Sequence, residues 1–88
     1  MLVNMQMLHG TVKTAWTAAS HGNHASAIAA TDTAFDVLSR ALAQAPAGSA
    51  SRGAVSNALD DVRHAVVVLP NHLAKAEVSL LGALRHLG

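Results

Sequence analysis

The sequence predicts an all-α fold: a small helical bundle or a long antiparallel helical hairpin of three to four helices. Three observations lead there. Apolar residues recur at steps of three and four along almost the whole chain. The breaks in that pattern, at Gly22-Asn23 and across Pro46–Gly53, carry the residue types that cap helices or close turns. The β-branched run Val66-Val67-Val68 could form a short strand, but no second strand candidate exists to pair with it.

The first helix is expected over 2–21, where Met1, Met5, Leu8, Val12, Ala15 and Ala19 form a stripe with Trp16 beside it. Gly10 weakens its first turns, and Thr11 is a candidate start for the stable part. His21-Gly22-Asn23 supplies a C-cap glycine and then a new N-cap. A second helix follows over 24–45, with Ile28, Thr31, Phe35, Leu38, Leu42 and Ala45 as its apolar face. A proline, two glycines and small or hydroxyl residues make 46–53 a loop. Helices over 54–69 and 71–87 then share one uninterrupted seam of Val55, Leu59, Val62, Val66, Leu69, Leu73, Ala76, Leu80, Ala83 and Leu87. Pro70 lies inside this seam. An interior proline costs a helix about 3 kcal/mol, yet the apolar phase is the same on both sides of it. The expectation is therefore a last helix kinked near Pro70, or two nearly collinear helices.

A chain of 88 residues has room for one domain. With 51% hydrophobic and 12% charged residues it is too apolar for a disordered tail. Alanine supplies much of that apolar content, and the aromatics are Trp16 and Phe35 alone. At about 25 cal/mol per Å² of buried apolar surface, an alanine-rich core is thin. Small chains with thin cores are commonly stabilised by oligomerisation or by a partner, so an oligomer is expected. The net charge of +1 recruits neither nucleic acid nor an anionic membrane. Lys13, Arg40, Arg52, Arg63, Lys75 and Arg85 are scattered, with no stacking platform among them. There is no cysteine. The start of the chain lacks a basic signal-peptide region, and no run approaches the roughly 18 apolar residues of a membrane span. A soluble, cytoplasmic protein without membrane insertion is the expectation.

Six histidines outnumber the five acids, and protonating them all would take the charge from +1 to about +7. His21 and His24 are three apart, as are Asp61 and His64, so these four are candidate metal ligands and a pH- or metal-responsive binder is one reading. The single glutamate, Glu77, rules out the carboxylate pattern of di-iron bundles. No nucleophile elbow or phosphate loop is present. Asp32 and Asp36 share a helix face, but Arg40 follows Asp36 by four and makes that a solvated charge patch. No enzymatic activity and no cofactor are expected.

His72-Leu73-Ala74-Lys75-Ala76, followed by Leu81-Gly82-Ala83, resembles the phosphorylated stretch of histidine phosphotransfer domains. The resemblance covers about a dozen residues, and Ala74 and Ala76 depart from the hydrophobic residue and the glycine expected there. It implies a helical bundle with His72 as phospho-acceptor and Lys75 beside the phosphoryl group. The leading expectation is different: a non-enzymatic helical interaction or oligomerisation module, bound to itself or to another helical protein. Its candidate interface residues are Trp16, Ile28, Phe35, Leu38, Leu42, Val55, Leu59, Val62, Val66, Leu69, Leu73, Leu80, Leu84 and Leu87.

Overall fold

Helices form where a capping residue meets a periodic apolar face. In the computed structural model, which describes residues 4–69 and 71–88, α1 spans Met5–Ser20, α2 His24–Gln44, α3 Ala50–Val68 and α4 Leu73–Leu87. The described residues contain no strand. Three of the four starts are capped by a side chain: Asn4 Oδ1 accepts from the Met7 N–H at 3.1 Å, Asn23 Oδ1 from Ser26 at 3.3 Å, and Ser49 Oγ from Arg52 at 3.1 Å. His72 precedes α4 and makes no side-chain cap bond.

The turns follow from equally local chemistry. Gly22 has φ +73°, the left-handed conformation that ends helices. Around it the Gly22 N–H bonds to Ala19 O at 3.1 Å and the Asn23 N–H to Ala18 O at 3.0 Å, the two bonds of a Schellman cap. Asn23 therefore finishes α1 and starts α2. Gly48, at φ +78°, sits in a tight turn closed by the Ser49 N–H on Pro46 O at 3.2 Å.

α3 begins at Ala50, where the sequence pattern placed a loop up to residue 53. The cause is Arg52 as well as the Ser49 cap. Its Nη1 donates to Leu42 O at 2.8 Å and Ala45 O at 3.2 Å, so the first turn of α3 closes the C-terminus of α2. The expectation of a kinked or collinear last helix is corrected outright. The chain reverses between Val68 and Leu73, and α4 packs back along α3. Pro70 itself lies outside the described residues, as do Met1, Leu2 and Val3. Both the Asn71 and the His72 N–H bond to Val68 O, at 3.1 and 2.7 Å. An unbroken apolar phase records which face is buried, and two antiparallel helices facing one core can share it.

Each helix packs against two neighbours, α1 against α2 and α4, and α3 against α2 and α4. Contacts between the helices set their directions. Arg52 at the start of α3 reaches the end of α2, His64 meets Ser79 while Asp61 meets His86, and His9 lies against Gly88. All neighbours are antiparallel, giving an up-down-up-down four-helix bundle 36 × 18 × 17 Å in extent. Its radius of gyration of 12.0 Å is that of a compact domain of this length.

The core is filled by Leu8, Val12, Leu38, Val55, Leu59, Val62, Leu69, Leu80, Leu84 and Leu87, interleaved with alanines. On α2 the buried face is Ala27, Thr31, Ala34, Leu38, Ala41 and Ala45, not the bulkier stripe expected from the sequence. The helix is turned by about one residue. Ile28 is left 37% exposed, and Phe35 and Leu42 are half-buried on the flank. Phe35 faces α3, where the Arg63 guanidinium lies 6.0 Å from its ring centroid.

Two substitutions test this packing. Thr31 is fully buried, and its hydroxyl has no hydrogen-bond partner among the described residues. Thr31→Val keeps the shape and removes the orphaned group, and is expected to stabilise the fold by about 1 kcal/mol. Gly10 lies in mid-helix with nothing within 4 Å of an added Cβ. Gly10→Ala should therefore add roughly 0.5–1 kcal/mol. Thermal unfolding read by Trp16 fluorescence checks both, with a rise of about 4–8 °C expected per kcal/mol.

Candidate interaction face

The side chains with chemistry outside the core gather where α3 and α4 meet the solvent. Their antiparallel register brings His64 opposite Ser79, with Nδ1 and Oγ 2.6 Å apart, and Asp61 opposite His86, with Oδ2 and Nε2 3.4 Å apart. Gly82 lies between the two pairs. A Cβ there would stand 3.0 Å from Asp61 Oδ2, so a side chain at this position would push the Asp61 carboxylate aside. Beside the His64–Ser79 pair runs a shallow groove of about 350 Å³, lined by His64, Ala74, Lys75, Val78 and Ser79. Val67 follows His64 by one turn of α3, toward the Ala74–Lys75 end of α4. Val67 and Val78 are each 71% exposed, the most exposed of the large apolar residues described.

The sequence-derived site residues divide among separate places. Leu38, Val55, Leu59, Val62, Leu69, Leu80, Leu84 and Leu87 are buried within this one chain, while Trp16, Phe35, Leu42, Val66 and Leu73 are half-buried. The four candidate metal ligands are not brought together. His21 is the C-cap of α1. His24 Nε2–H donates to the Leu69 carbonyl at 2.6 Å, which ties the start of α2 to the α3–α4 turn. Asp61 and His64 face α4. Among the described residues no three His, Asp or Glu side chains gather as a metal site.

His72 is exposed at the N-cap of α4 with Lys75 one turn on, and Gly82, the glycine of the phosphotransfer-like pattern, has its own steric cause at Asp61. Ser79 and His64 form a hydroxyl–imidazole pair, but the other elements of acyl transfer are not assembled around it. Asp61 is turned to His86, and no carboxylate bonds to His64 among the described residues. Ser79 is in mid-helix, where backbone N–H groups are committed to helical bonds and cannot form an oxyanion hole.

Ser79, Val67 and Val78 escaped the sequence reading because they stand off the seam. The signal was available: they are bulky or hydroxyl residues on what should be wholly polar faces. No protein-family model matches the chain, and comparison with curated proteins and with solved structures gives no match either. No helix among the described residues is long and apolar enough to cross a membrane.

Two outcomes follow from this geometry. Excess zinc should leave the thermal midpoint unchanged, and a rise reversed by chelator would show that the separated ligands converge after all. Gly82→Ala should gain less stability than Gly10→Ala, because its methyl group displaces Asp61 and loosens the pair with His86; equal gains in the same melts would contradict the close approach.

Proposed function

We propose that this chain is a non-enzymatic helical interaction module that meets a partner on the outer face of α3 and α4. The observation that carries the reading is Val78, 71% exposed on the wall of an apolar groove, with the equally exposed Val67 one helical turn from His64 of that wall. Met7 and Ile28 are the other large exposed apolar residues, and they lie apart on α1 and α2. Singly exposed apolar residues are ordinary, whereas one on a groove wall with a second one turn from that wall favours an interaction surface. Because most of the Val55–Leu87 seam is buried within the chain, the partner is met by residues outside it.

The mode that fits is a helix laid in the groove between two antiparallel helices. A neutral amphipathic helical peptide, with leucines on one face and glutamine and alanine elsewhere, is the probe. Titrated into isotopically labelled protein, it should shift the amides of 64–67 and 74–79 saturably. Val78→Glu should abolish the response with helicity by circular dichroism unchanged. Shifts spread over another face, or none at all, overturn the proposal.

A further inference from the structure

The charges around the groove are unequally satisfied, and this identifies the partner's chemistry. The acids of α3 already have side-chain partners: Asp60 lies 3.9 Å from the Arg63 guanidinium, and Asp61 3.4 Å from the His86 imidazole. Lys75, on the groove wall, meets no carboxylate within 4 Å among the described residues. The face therefore presents an apolar floor, with Ala74 and Val78, beside a cation that has no counter-charge.

Resting on the docking reading above, we infer that the occupant is an acidic amphipathic helix, with an apolar anchor against Val78 and an aspartate or glutamate on Lys75. Spacing sets the register. Val78 follows Lys75 by three residues, so the two stand one turn apart on one face of α4. A helix alongside α4 carries its carboxylate one turn from its anchor. Such a contact is half-exposed and screened by salt, so it selects the partner more than it strengthens the complex.

The test uses three versions of the same peptide on the full chain, with glutamine, glutamate or lysine one turn from the leucine anchor. The glutamate peptide should bind about threefold to fivefold more tightly than the glutamine peptide at low salt. That difference should vanish near 1 M salt, where the screening length falls to about 3 Å. Lys75→Glu should reverse the order, favouring the lysine peptide. The variant is expected to fold, since an exposed acid in a helix's first turn is favourable. Equal binding of all three peptides to the α3–α4 face would overturn the acidic partner and leave the docking face standing. No binding by any peptide would overturn both. Concentration-dependent shifts of the same amides without peptide would overturn the acidic partner in favour of a second copy of this chain.

Discussion

Close approach of helices at alanine is the constraint on which this bundle depends. Half of the buried apolar residues are alanines, and on α2 all but Thr31 and Leu38 of the inward positions are alanine. Alanine contributes little burial of its own. It lets a neighbouring backbone come near, so that Leu8, Leu38, Leu59, Leu69 and Leu80 join it in one buried cluster. It also costs the least conformational freedom in a helix. The large side chains and the alanines of this core are equally shut off from solvent, Leu38, Val55 and Leu80 as fully as Ala15, Ala27 and Ala58.

The same constraint decides what the rest of the chain must do. With modest burial per helix, a larger share of the stability falls on the ends. Asn4, Asn23 and Ser49 each satisfy an N-terminal amide, the Gly22 Schellman turn satisfies two carbonyls, and Arg52 satisfies two more. An N-cap is typically worth about 1 kcal/mol, which is large beside a net stability of roughly 5–15 kcal/mol. The surface ion pair Asp36–Arg40, at 3.0 Å but well exposed on both sides, adds little by comparison. Fold and face are thus held by different residues. Val67, Lys75 and Val78 are exposed and take no part in the core.

How much of this was legible in the sequence depends on which physical signal each element uses. The all-α class was legible because it needs only the three-and-four periodicity. The turn at Gly22-Asn23 uses residue types with strong conformational preferences, which act locally. The register of α2 was not legible. Positions 28, 31, 35, 38, 42 and 45 outrank 27, 31, 34, 38, 41 and 45 in hydrophobicity, and only packing against α1 and α3 favours the smaller set. The reversal near Pro70 was hidden because periodicity has no direction. The α3 start was hidden because Arg52 acts across the chain, on carbonyls of another helix. The candidate face was hardest, since His64–Ser79 and Asp61–His86 form only through the α3–α4 register.

The histidines show how a fold distributes a feature of composition. Six in 88 residues suggest one concerted switch, yet the fold disperses them. His21 and His86 lie at helix C-terminal ends, whereas His24 and His72 lie at N-terminal ends. His24 holds the Leu69 carbonyl, His64 is engaged with Ser79, and His86 faces Asp61. Each of these contacts is local to its own helix end or helix pair. What the histidine-rich composition does supply is a set of short polar contacts at helix ends and across α3–α4, the places an alanine-rich interior cannot hold.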